Sequence, residues 1–198
     1  MSIGYETQIP PISTLTFYNA IANNGKMMRP RFVKQVIKDG QVIMDFPPEV
    51  VKGHEQIAKP QTIKTMQTIL EHVVSQGLGK KAGSPSFKVA GKTGTAQMSK
   101  GVAGYKSGTM NYLLSFAGFF PADAPRYSCI VCIQKSGLPA SGGGMSGVVF
   151  HHIAEGIMAQ DLKLDVKDAR DSTSILVPQV KDGNILAADY VLSTLGIK

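Results

Sequence analysis

Three extended, apolar-rich segments follow one another at roughly residues 87–98, 112–120 and 126–135, and the links between them are short. Gly101 to Gly108 supplies a flexible loop for the first link. Pro121-Ala122-Asp123-Ala124-Pro125 supplies a turn for the second, with proline and aspartate setting the backbone. Links of this length favour antiparallel neighbours, so the segments are predicted to form a three-stranded meander. Such a sheet needs helices to cover it, and the rest of the chain provides candidates.

Residues 12–24 read as a helix, with Ile12, Leu15, Tyr18, Ile21 and Ala22 at helical spacing and Gly25 ending it. Residues 60–76 carry the clearest amphipathic stripe: Ile63, Met66, Ile69, Leu70, Val73 and Val74, closed by Gly77 and Gly79. A third helix is predicted over about 146–160, after a glycine-rich loop at 137–144. Between the first two helices, Phe32 to Lys38 and Gln41 to Phe46 flank Asp39-Gly40, the signal of a hairpin with a type I′ turn. From Asp161 to Ser174 the chain turns polar and reads as a linker. A short strand at 175–178 and a helix at 187–195 follow. The expected class is α+β.

Several functional classes can be set aside. The net charge of +7 admits a nucleic-acid or anionic partner, but the basic residues are spread out and no aromatics interleave them, so no nucleic-acid partner is expected. No run approaches the roughly 18 apolar residues of a membrane span. Cys129 and Cys132 have C-x-x-C spacing. On a strand such residues point to opposite faces, and a zinc site would need a second pair. They read as core cysteines. The four histidines lack metal-ligand spacing, so no metal and no cofactor is expected.

Three glycine-linked motifs compete. Ser86 to Thr93 fits a phosphate-binding loop except at its first position, where glycine is required, and no helical stripe follows Thr93. Gly142-x-Gly144-x-x-Gly147 fits a dinucleotide fingerprint, but Ser136 to Ser141 intervene where that motif needs a tight turn. It reads as a mobile loop feeding a helix. The third is Lys92-Thr93-Gly94 with Thr95 behind it, in an extended segment that opens the meander. Here each residue type has a use. The Lys92 ammonium can fix a terminal carboxylate and support proton transfer, and a hydroxyl at Thr93 adds a donor. The bare backbone at Gly94 can let a peptide lie close to the strand. A backbone N–H near Thr95 can point at a developing oxyanion.

Val89-Ala90-Gly91-Lys92-Thr93-Gly94-Thr95-Ala96-Gln97 resembles the third motif segment of the class B penicillin-binding proteins. Other segments agree in order. Ser2 to Glu6 resembles the stretch after that family's second motif. Ala20 to Pro30 resembles a helix end followed by Arg-Pro. Ser115-Phe116-Ala117-Gly118-Phe119-Phe120-Pro121 resembles the strand after the active-site strand, and Gly142-Gly143-Gly144 falls where the family has a loop before its last helix. The resemblance covers roughly residues 2–160. It implies the serine transpeptidase/β-lactamase-like fold, present here in part, and acyl transfer from D-Ala-D-Ala stem peptides of peptidoglycan, with acylation by β-lactams. It also implies partner membrane proteins of the divisome or elongasome. The implied location is the extracytoplasmic face of the bacterial inner membrane, with the anchor in an N-terminal segment outside this chain.

The chain departs from that pattern. No lysine has serine three residues before it, so the family's Ser-x-x-Lys nucleophile motif is missing, and so is Ser-x-Asn; Asn111 comes closest, with Thr109 in the serine position. The expectation is a chain that begins within the domain at Met1 and is inactive alone, carrying Lys92, Thr93, Gly94 and Thr95 as its site residues. The alternative is a non-catalytic cell-wall-binding module of the same fold. Val177-Pro178-Gln179-Val180 and the stretch from Ala187 to Ile197 resemble the start of a PASTA domain, which gives domains at 1–160 and 175–198 joined by a linker at 161–174.

Overall fold

The computed structural model describes residues 9–98 and 109–168. Residues 1–159 form one compact unit, and Gln160 onward falls in a second, of which only a helix end is described. The strand and helix expected at 175–178 and 187–195 lie outside the described residues, as does the loop expected at Gly101 to Gly108.

The meander is present. β3 (Ala90–Met98), β4 (Asn111–Phe120) and β5 (Tyr127–Ser136) form an antiparallel sheet in that order, so β3 is an edge strand. The β3–β4 register pairs Gly91 with Gly118, Lys92 with Ala117 and Gly94 with Ser115. The glycines at 91 and 118 make room for the Phe116 ring, whose edge lies where either Cβ would project. Phe116 is fully buried as a result.

Each face of the sheet has its own core. On one side α3 (Gly147–Asp168) lays Phe150 and Ala154 on Phe116, Phe120 and Val131. The rings of Phe116 and Phe150 meet edge to face at 4.7 Å, within the favoured range for aromatic pairs. On the other side α1 (Pro11–Ala22) and α2 (Pro60–Ser75) bury Ile21, Ala22 and Leu70 against Ala90 and Phe119. Two polar ties fix this layer: Asn19 Nδ2 donates to Ser128 Oγ at 3.0 Å, and Gln67 Nε2 donates to Ile21 O at 2.8 Å. Both helices begin with proline in the first turn, where no N–H is needed. α1 ends at Ala22, and Asn24 and Gly25 both adopt positive φ so that Gly25 N–H reaches back to Ala20 O.

The hairpin forms as β1 (Gln35–Lys38) and β2 (Gln41–Asp45), with Asp39 and Gly40 at φ of 50° and 78°, as a type I′ turn requires. Its register shifts between Val36 and Ile37, so Ile43 is an extra residue in β2.

Four expectations need correction. Ile12 is exposed, because only the last turn of α1 reaches the sheet, through Ala20, Ile21 and Ala22. Ile69 is likewise about half exposed at the border of the α2 stripe. α3 continues to Asp168, past the helix end expected near 160. Cys132 is exposed: it pairs with Ser115 and points to the face opposite Cys129, where no described helix covers it. Cys129 packs partly buried against the Phe116 core.

Candidate functional site

Lys92, Thr93, Gly94 and Thr95 are consecutive residues in the middle of β3, at the edge of the sheet formed by the described strands. Lys92 is exposed, and its Nζ curls along the strand to donate to Thr93 O at 2.9 Å, with Thr93 Oγ1 at 3.4 Å. Among the described residues the ammonium meets no carboxylate, so its charge is available to an anion from outside. In an antiparallel ladder, backbone groups alternate between the paired side and the free side. The ammonium on Thr93 O marks Thr93 as facing the free edge, and the Thr95 N–H, two residues on, falls on that same edge.

Gly94 has a packing reason for lacking a side chain. A Cβ there would overlap Ser115 Oγ directly across the ladder. Thr95 Oγ1 accepts a hydrogen bond from Gly142 N–H at 3.1 Å. This contact corrects the reading of residues 142–144 as a mobile loop. They open a π-helical turn, Gly142–Ser146, in which Gly142, Gly143 and Ser146 are buried. Ser141 Oγ caps the turn by accepting from Gly144 N–H at 2.9 Å. Gly142 rests on the backbone at Gly94 and Ser115, and Gly143 on Leu78 O and Thr93 Cγ2. The sequence did show the glycine spacing, but nothing local indicates that its contacts are to a strand almost fifty residues earlier.

Other candidates fall away. Lys92 and Thr93 lie inside a nine-residue strand of an antiparallel sheet, not in a turn that opens a helix, which removes the phosphate-loop reading. Asn111 pairs with Met98 at the far end of β3 from Lys92, and its Oδ1 accepts from Ser136 Oγ at 2.7 Å. It ties two strands together and does not join the site. A polar cleft of about 560 Å³ lies between α2 and the segment before β3, lined by residues including Glu71, Lys80, Ser86, Lys88 and Asp123. None of Lys92 to Thr95 lines it. Among the described residues no group of three potential ligands could hold a metal, and no helix is long and apolar enough to cross a membrane.

A family model for the penicillin-binding protein transpeptidase domain matches residues 1–155. The chain belongs to this family. It is 30% identical over 168 residues to penicillin-binding protein PbpB of Mycolicibacterium smegmatis, an alignment covering 80% of this chain and 25% of that protein. It is 28% identical over 212 residues to stage V sporulation protein D of Bacillus subtilis, covering 99% of this chain and 31% of that protein. The chain thus spans about a quarter to a third of the length of these relatives. Among solved structures, the transpeptidase domain of penicillin-binding protein 3 from Burkholderia pseudomallei aligns with a TM-score of 0.56 at 30% identity, over 79% of this chain and 43% of that one. The transpeptidase domain of the FtsI4 D,D-transpeptidase from Legionella pneumophila aligns with a TM-score of 0.54 at 26% identity, over 76% and 47%. The α+β class and the antiparallel meander of the penicillin-binding transpeptidase fold are therefore as the motif segments implied, and β3 is the strand that carries the Lys-Thr-Gly segment.

Proposed function

We propose that this chain supplies the substrate-facing wall of a peptidoglycan D,D-transpeptidase. The observation that carries the reading is the edge strand itself: an exposed Lys92 ammonium that meets no carboxylate among the described residues, hydroxyls on Thr93 and Thr95, and a strand edge beside them that no described strand pairs with. The D-Ala-D-Ala end of a stem peptide lies along that edge. Its carboxylate meets Lys92 and the two threonines, Gly94 keeps the backbone within reach of the peptide, and the Thr95 N–H donates to the carbonyl oxygen as negative charge grows on it. β-Lactams, which also carry a carboxylate beside a reactive carbonyl, fit the same edge.

The attacking serine belongs to a Ser-x-x-Lys motif that these 198 residues do not contain. The chain therefore binds and polarises but forms no acyl-enzyme by itself. By the same reading it works with divisome or elongasome membrane proteins on the outer side of the bacterial cytoplasmic membrane, and the tail beyond residue 174 begins a PASTA-like, wall-contacting segment. One experiment with two readouts tests the site. A fluorescent penicillin is mixed with the 198-residue chain, followed by polarisation and by denaturing gel. The expected result is reversible polarisation without gel-stable label. A covalent label, or no change in polarisation, contradicts the reading.

A further inference from the structure

The polar cleft of about 560 Å³ between the end of α2 and the segment that leads into β3 is within the size range of small-molecule sites. Glu71, Val74 and Ser75 face it from α2, at the i, i+3 and i+4 spacing that shares one side of a helix. Ser84 to Val89 form the opposite wall. Backbone ties hold that wall: Ser84 Oγ accepts from Ser86 N–H at 2.9 Å, and Ala122 N–H donates to Lys88 O at 2.8 Å, which brings Asp123 to the rim. Gly83 closes one end, where a Cβ would lie 3.1 Å from Val74 Cγ1 and 3.2 Å from Lys80 O. Val74 and Val89 are buried, and the half-buried Phe87 ring packs on Phe120 at 5.9 Å. The cleft is therefore formed in advance, with an apolar base and a charged rim.

The rim carries both signs. Glu71 and Lys80 stand on the α2 side, Lys88 and Asp123 on the strand side. Among the described residues no ion pair joins either lysine to either carboxylate, and Glu71 meets its neighbour His72 at 3.6 Å. This set of charges sorts ligands. The two carboxylates repel a polyanion such as a phosphate chain, and the two ammoniums repel a metal ion. A neutral sugar would desolvate four charges and neutralise none. A molecule with one ammonium and one carboxylate on an aliphatic body answers both signs, and its carbon chain covers Val74, Phe87 and Val89.

We propose that this cleft is a second ligand site, for a small aliphatic zwitterion: an amino acid or a short peptide with both ends free. The inference is independent of the functional reading above, because none of Lys92 to Thr95 lines the cleft. Val89 precedes Lys92 by three residues, so the two sites lie about 10 Å apart along the strand.

The test uses the ¹⁵N-labelled 198-residue chain, titrated by NMR with the dipeptide leucyl-leucine, its N-acetyl form, its C-terminal amide and free leucine. The free dipeptide is expected to give saturable shifts at Ser84, Ser86, Lys88 and Asp123. Capping either end removes one charge and weakens binding severalfold, the size of effect that exposed ion pairs support. Lys80→Gln with Lys88→Gln erases the advantage of the free carboxylate over the amide. Glu71→Gln with Asp123→Asn erases the advantage of the free ammonium over the acetylated end. Free leucine that binds as tightly as the dipeptide assigns the site to an amino acid, and weaker binding assigns it to a peptide; both support the proposal. The capped ligands need no altered protein, so they decide even where a variant fails to fold. No shift in the cleft, or equal affinity for the free and capped dipeptides, overturns the proposal and leaves the reading of Lys92 to Thr95 standing.

Discussion

Replacing Gly94 by alanine separates a packing role for this glycine from a role in substrate approach. An alanine Cβ at position 94 falls well inside van der Waals contact of Ser115 Oγ, whereas Ser115 Cβ stays at an ordinary 3.7 Å and the next atom, Ser115 O, at 4.0 Å. The whole conflict is with one oxygen. Overpacking of this sort costs about 1–3 kcal/mol, towards the lower end if the serine hydroxyl swings to another rotamer. Against that, alanine restricts the unfolded chain and so stabilises an extended site by about 0.5–1 kcal/mol, because Gly94 is not among the residues with positive φ. Gly94→Ala alone is therefore expected to be destabilising. In a Ser115→Ala background the same change is neutral or slightly stabilising, and the double-mutant cycle gives a coupling of about 1–3 kcal/mol. Urea denaturation of the four proteins measures it. Equal effects of Gly94→Ala in the two backgrounds would refute the assignment of Gly94 to the Ser115 contact.

Two further outcomes follow from single side chains. Ser146 is fully buried and its Oγ has no hydrogen-bond partner among the described residues; leaving such a group unsatisfied costs about 1–3 kcal/mol, so Ser146→Ala is expected to raise stability by about 1 kcal/mol in denaturant titration, and a loss of stability contradicts this. Cys132 is exposed and Cys129 partly buried, while burial pushes both thiols above their usual range. A thiol-specific reagent should label Cys132 first, with a rate that climbs about tenfold per pH unit beyond the pH at which an ordinary cysteine levels off; equal labelling of both, or a plateau near pH 8, would be inconsistent with the geometry.

The meander and the hairpin were legible in the sequence because short links and the Asp39-Gly40 pair are local signals with local causes. The Lys92 to Thr95 strand was legible because its four residue types sit side by side. The support beneath the strand was not. Gly94 answers to Ser115, and Thr95 to Gly142, across separations of 21 and 47 residues that no periodicity records. Glycines at 142–144 look alike whether they serve flexibility or close approach, and only the oxygens of Gly94 and Leu78 beneath them distinguish the two. Apolar spacing misled in the same way at Ile12 and Cys132, where the pattern suits burial but no described neighbour covers the residue.

The central claim is that the free edge of β3, at Lys92 to Thr95, receives the D-Ala-D-Ala end of a stem peptide. Amide chemical shifts of the 198-residue chain, followed while N-acetyl-D-Ala-D-Ala and then its L,L counterpart are added, test it most directly. The account predicts saturable shifts centred on Thr93, Gly94 and Thr95, extending to Gly142, with the D,D peptide and weaker ones with the L,L peptide. Shifts centred on the polar cleft at Glu71 and Lys88, or identical responses to the two peptides, would contradict it.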